Sequence, residues 1–180
     1  PGLAVIVAVI KDGKVLLTKR EDFEVWCLPG GGVEEGESLA EAAMREVQEE
    51  TGLDVELTRL VGVYSRMGGG MQDVHAVLYT ASPIGGELKI QPHETIEANY
   101  FPFAQLPGEM LFGHKKRIYD AVNNASGLSV RQELKTQASK ISTRKELYAE
   151  RDQSGLTRQQ FYLQRLEQAE IIEAIEVGNL

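Results

Sequence analysis

The sequence predicts an α/β fold, with a mixed sheet covered by helices on both faces. Three observations carry that reading. Two strand-like runs, Leu3–Ile10 and Lys14–Arg20, flank a Lys-Asp-Gly turn and read as a strand pair. A strongly punctuated helix occupies 39–51. Further strand-like runs then lead to a second amphipathic helix at 114–124.

Taken in order, the first strand is apolar on both faces, as a central strand is. Val25–Leu28 reads as a short third strand. Phe23 and Trp26 beside it are either core residues or platforms for a nucleobase. Leu-Pro-Gly-Gly-Gly then breaks regular structure. Ser38 with Glu41 forms a capping-box signature, and Gly52 stands where a left-handed helix cap is expected. Val55–Ser65 and Asp73–Ala81 read as strands around a glycine-rich loop, Arg66–Met71, which is either a lid or a hairpin tip. Ile84–Ile90 reads as a turn and strand, Ile96–Phe103 as a strand, and 104–106 as a helical turn. His114–Asn124 reads as a helix with Ile118, Ala121 and Val122 inward.

The residues after Asn124 differ in character. Asn-Asn-Ala-Ser-Gly marks a boundary, giving one domain over 1–124 and a mainly helical extension over 125–180. Leu134, Ile141 and Tyr148 form a weak helical stripe. Thr157 with Gln160 opens a further helix through Glu170, carrying Phe161, Leu163 and Leu166, and Ile171–Val177 is an apolar tail. The extension reads as an arm that covers the domain or joins two copies, so a homodimer is expected.

Within the first helix, at about 100° per residue, Glu46, Glu49 and Glu50 share one face, with Ala40, Met44 and Val47 opposite. Like charges at these spacings cost an isolated helix roughly 0.2–0.5 kcal/mol per pair. A hard divalent cation reverses that sign, because Mg²⁺ takes oxygen ligands from a few carboxylates and from substrate phosphates.

From Gly31 to Leu53 the spacing is Gly31, Glu37, Arg45-Glu46-Val47, Glu49-Glu50 and Gly52-Leu53, nine defined positions in twenty-three residues. It resembles the signature of the Nudix hydrolases at every one. The resemblance covers about residues 3–124. It implies an α/β/α sandwich and hydrolysis of a nucleoside diphosphate linked to another group, with Mg²⁺ as cofactor and Mn²⁺ as a possible substitute. It also implies metal ligation by Glu46, Glu49 and Glu50. Arg45 is then expected to orient a glutamate through an ion pair, Glu37 to brace the loop, and Gly31 to allow a tight turn. Gly30, Gly31, Arg20 and Trp26 are candidate substrate contacts. A general base is expected from the box, Glu46, or from the later loop, where Glu94 leads Glu97 and His93; Glu94 is also a candidate ligand. Family markers for ADP-ribose (a proline) or for dinucleoside polyphosphates (a tyrosine) are expected about fifteen positions past the box. Arg66–Met71 contains neither.

Composition bounds the partners. Nineteen Lys+Arg against 27 Asp+Glu give a net charge of −8. The surplus lies before Asn124, and such a surface is a poor binder of nucleic-acid backbone. A small nucleotide is the expected partner, with neither nucleic acid nor membrane. Cys27 is the only cysteine, so a reducing, cytoplasmic setting is expected. No run approaches the roughly 18 apolar residues that span a membrane. Two other functions remain open at this point: a nucleoside triphosphate pyrophosphohydrolase, and a nucleotide-sensing regulator whose extension binds DNA.

Overall fold

The computed structural model describes residues 1–90, 92–136 and 143–179. Among them the strands are β1 Gly2–Lys11, β2 Lys14–Arg20, β3 Trp26–Cys27, β4 Gly30–Gly32, β5 Leu53–Gly68, β6 Val74–Gly86, β7 Thr95–Pro102, β8 Leu128–Lys135 and β9 Glu170–Val177. The helices are α1 Leu39–Thr51, α2 His114–Val122, α3 Arg144–Gln153 and α4 Arg158–Glu167. The main sheet runs β3-β2-β1-β6-β5-β8-β9, with β4 on β1 and β7 on β2. It is mixed: β1 with β6 and β5 with β8 are parallel, and the other pairs antiparallel.

Side-chain alternation along β1 builds two cores. Val5, Val7 and Val9 face α1 and pack on Ala42, Ala43 and Val47. Ile6 and Ala8 face the other way, joining Tyr64, Leu78, Ile118 and Val130 under α2. Helices therefore cover both faces of the sheet.

β1 and β2 pair only next to their turn, at Ile10 with Val15 and Lys11 with Lys14. Asp12 and Gly13 both have positive φ there, as a type I′ hairpin requires. Beyond this turn the strands separate. β1 takes β4 as its neighbour, while β2 takes β3 and β7. A cleft opens where they diverge.

The extension carries the expected helices, α3 and α4, and two strands besides, β8 and β9, which widen the sheet. Leu134 of the expected helical stripe lies in β8, Tyr148 lies in α3, and Ile141 lies outside the described residues. Gln132 is wholly buried on β8, where it accepts from Arg117 Nε at 2.9 Å and donates to the Gly113 carbonyl. The helix expected through Glu170 stops at Glu167, and the apolar tail forms β9. The strand expected at the end of 84–90 is also absent. β6 stops at Gly86, and the Lys89 N–H donates to the Thr51 carbonyl at the end of α1.

α3 and α4 are fastened to the segment between β2 and β3. Phe23 is buried with Val25, Leu147 and Phe161, its ring 5.0 Å from Tyr162 and 5.8 Å from Tyr148. Arg151 donates to the Asp22 carbonyl at 2.6 Å, Gln159 to that of Glu24 at 2.8 Å, and Tyr148 to the Asp22 carboxylate at 2.8 Å. Phe23 is thus core. So is Trp26, edge-on to Phe101 at 4.8 Å.

Phe161→Ala is expected to cost about 3–5 kcal/mol in urea unfolding, the usual range for truncating a buried phenylalanine. A loss below about 1 kcal/mol would show that α4 is not packed on the domain as described.

Candidate active site

The site is built where α1 passes under β4. Ser38 accepts from the Glu41 N–H at 3.2 Å, and the Glu41 carboxylate accepts from the Ser38 N–H at 2.7 Å. Gly52 closes the helix in the left-handed conformation. These local caps fix where α1 starts and stops. Which side it turns inward is set by packing. Ala42, Ala43, Val47 and Thr51 are buried, while Met44 is exposed. The inward face is therefore rotated away from the Ala40–Met44–Val47 line, toward the glutamates.

That rotation separates the three carboxylates. Glu46 and Glu50, one turn apart, point into the cleft, and Glu49 stays on the rim with its side chain 48% exposed. Two glycines make the approach possible. A Cβ on Gly31 would stand 2.5 Å from the Glu46 carboxyl, and one on Gly30 would stand 2.2 Å from the Val5 carbonyl oxygen. The Gly30 N–H donates to Glu50 Oε2 at 3.2 Å.

Arg45 ties the loop to the helix. It donates to both Glu37 oxygens, at 2.9 and 2.6 Å, and to the Gly32 carbonyl at 3.0 Å. Its remaining N–H groups reach Glu46 at 2.9 Å and Glu49 at 3.3 Å. The Glu37 carboxylate also accepts from the Glu34 N–H at 2.7 Å. Arg45 and that N–H hold the Glu37 pKa down at about 2.

The inward carboxylates behave oppositely. Burial pushes Glu50 up to about 8, with the negative charges of Glu46 and Glu94 acting the same way and the Gly30 N–H and Arg20 against it. Burial also raises Glu46, reinforced by Glu49 and Glu94 and opposed by Arg45. Glu94 completes the acidic group from the loop before β7, where the Glu21 N–H donates to the Glu94 carbonyl at 2.9 Å. Glu97 does not join it. It lies on β7 opposite Lys19, 4.0 Å from that ammonium, and accepts from Asn99.

These acids edge a cavity of about 850 Å³. Arg20, Gly30, Gly31 and His93 also line it, whereas Trp26, Arg45, Glu37 and Glu49 do not. The hairpin tip between β5 and β6 contributes Arg66, Gly69 and Met71, and the extension contributes Tyr148, Tyr162 and Arg165. Arg117 is a further lining residue missing from the sequence reading. Its signal was its place one turn before the inward Ala121.

Among the described residues, no three acidic, His or Cys side chains converge as a ready cage. The donor set nonetheless suits a hard divalent cation. Glu46 and Glu50 offer carboxylate oxygens whose ionised forms are penalised by burial and by each other's charge, which is the condition a cation relieves. Among the described residues, Glu50 accepts a hydrogen bond from one backbone N–H, that of Gly30.

A glycine loop leads into a capped acidic helix, set at a split in a mixed sheet. The chain belongs to the Nudix family: the NUDIX domain model matches residues 1–122. Enzymes of this family act on nucleotide pyrophosphate bonds. Similar proteins include an ADP-ribose pyrophosphatase of Methanocaldococcus jannaschii, 38% identical over 131 residues that cover 71% of this chain and 76% of the relative. A Bacillus subtilis (strain 168) relative, provisionally described as an 8-oxo-dGTP diphosphatase, is 36% identical over 127 residues, covering 71% and 83%. The MutT Nudix hydrolase of Burkholderia pseudomallei superposes with a TM-score of 0.63 at 26% identity, covering 67% of this chain and 97% of the other.

Arg45→Met is expected to fold but to weaken Mg²⁺ binding about 10–100-fold by calorimetry, the usual effect of removing a group that orients a ligand. Unchanged affinity would show that the Arg45 network does not position Glu46.

Proposed function

We propose that this chain hydrolyses the diphosphate linkage of a nucleoside diphosphate derivative such as ADP-ribose, with Mg²⁺ held by Glu46 and Glu50 and Mn²⁺ as a substitute. The observation that carries the reading is that Glu46, Glu50 and Glu94 line one cavity beside Gly30 and Gly31. When bound, the cation supplies charge neutralisation on the phosphates and a lowered pKa for a bound water.

The chain's own residues do the rest. Arg45 fixes the rotamers of Glu37 and Glu46. Gly30 and Gly31 leave room for the diphosphate close to the backbone. Glu94 is the proposed general base, accepting a proton from water as its oxygen attacks phosphorus and the bond to the bridging oxygen breaks. Its place on the cavity supports it over Glu97. Glu49, on the rim, is assigned a supporting ligand role.

A volume near 850 Å³ lies in the upper part of the range of small-molecule sites. It leaves space beyond the scissile linkage, which favours a substrate with a group on each side over a triphosphate. Two further assignments are part of the reading. A homodimer is supported by β9, an edge strand exposing Ile171, Ile175 and Val177. A cytoplasmic setting is supported by the single, buried cysteine. Among the described residues no helix is long and apolar enough to cross a membrane.

Glu50→Gln should keep the melting temperature and lower kcat on ADP-ribose with Mg²⁺ at least about a hundredfold, with AMP and ribose phosphate as the wild-type products. Near-normal turnover by this variant would remove Glu50 from the metal site. Turnover of nucleoside triphosphates alone would replace the proposed substrate class.

A further inference from the structure

The cavity has a second end. Away from the carboxylates it is lined by Arg66 on β5, Arg117 on α2, Tyr162 on α4 and, at its mouth, Arg144 on α3. Such a cluster of guanidinium groups normally comes with carboxylates, and Arg20 shows the usual solution, bonded twice to Asp22 at 2.9 and 2.6 Å. Arg66, Arg117 and Arg144 are different.

Arg117 is 3% exposed, and among the described residues no carboxylate bonds to it. Its Nε donates to Gln132 Oε1 at 2.9 Å, and its guanidinium lies 5.5 Å from the Tyr64 ring centre. The contact of Nη1 with His114 Nε2 at 3.3 Å gives no acceptor. The Leu28 N–H donates to His114 Nδ1 at 3.0 Å, and burial keeps that ring neutral. Its proton is therefore on Nε2, facing the guanidinium donor to donor. Among the described residues Arg66 donates only to the Gly68 carbonyl, at 3.1 Å. Glu173 acts on Arg117, and Asp73 on Arg66, only through space. Asp22 and Arg144 likewise interact only through space; Arg144 and Arg66 repel. Tyr162 accepts from the Phe112 N–H at 2.8 Å, which leaves its hydroxyl hydrogen to donate.

A buried guanidinium without a carboxylate is costly, and here buried Arg117 and half-buried Arg66 border open space beside a free hydroxyl donor. We propose that Arg66, Arg117 and Tyr162 form an anion site that takes a second phosphate-like group of the substrate, carried on the moiety beyond the scissile diphosphate. Bidentate donation to a phosphate is the contact that guanidinium groups make best. The substrate class narrows accordingly, to nucleoside diphosphate derivatives bearing a further anionic group on the non-nucleoside side. This rests on the proposed activity, with the carboxylate end engaging the diphosphate. The extension gives the site its purpose: α4 supplies Tyr162, and β8 supplies the Gln132 that holds Arg117.

The site can be tested separately from catalysis. Inorganic phosphate titrated calorimetrically into the full chain in EDTA should bind. Arg66→Met should weaken that binding at least tenfold, and Arg66→Lys should recover part of it. Tyr162→Phe, which keeps the ring and its packing, should weaken it severalfold. Glu50→Gln should still bind. With Mg²⁺, the ratio of kcat/KM for ADP-ribose phosphorylated on its terminal ribose to that for ADP-ribose should fall at least tenfold in Arg66→Met. No phosphate binding by the wild type, or equal binding by Arg66→Met and Tyr162→Phe, overturns the anion site. An unchanged ratio overturns its assignment to substrate. Phosphate binding through Arg66 in a protein that hydrolyses neither compound supports the site and instead overturns the proposed activity.

Discussion

The absence of two side chains governs this site. Gly30 lies against the backbone of β1, closer than a Cβ would permit, and Gly31 lies beside the Glu46 carboxyl, which a Cβ would push aside. β4 can therefore close on β1 with room left for Glu46, and α1 comes near enough for Glu50 to meet the Gly30 N–H. Without that approach Glu46 and Glu50 would remain on a solvated helix face. With it, they are drawn into a cleft that burial makes hostile to their charge and a divalent cation makes favourable. Arg45 holds the arrangement from outside through Glu37, Gly32 and Glu46.

The cleft itself follows from strand pairing. β1 and β2 share only the pairs at their turn, and each then recruits different neighbours. The opening between them has an acidic lip from α1 and the loop before β7. Its far side is aromatic and basic, built from β5, α2 and the extension. One cavity thus presents oxygen ligands at one end and guanidinium donors at the other. That polarity suits a ligand whose phosphates alternate between cation and guanidinium partners.

The parts of this arrangement that were legible in the sequence are those set locally. Ser38 and Glu41 cap α1, Gly52 ends it, Asp12-Gly13 makes the hairpin, and Thr157 with Gln160 opens α4. The acidic trio was legible as a group, but not its division into two inward members and one on the rim. A helical wheel assigns charge to solvent, whereas here the neighbouring glycines admit it. β8 was hidden because the inward position of its alternating pattern is occupied by Gln132, a polar residue satisfied by distant Arg117 and Gly113. β9 was legible only as an apolar tail, because glutamates interrupt its apolar residues and its pairing partner, β8, was hidden. Arg117 could be placed inward from Ala121 one turn on, yet its lack of a carboxylate is a property of tertiary packing alone.

The central claim is that Glu46 and Glu50 grip a divalent cation against a substrate's diphosphate. A crystal structure with magnesium and a non-hydrolysable ADP-ribose analogue tests it most directly. The account predicts metal density bonded to Glu46 and Glu50 and to diphosphate oxygens beside Gly30 and Gly31. Metal and diphosphate bound elsewhere, with both carboxylates unengaged, would contradict it.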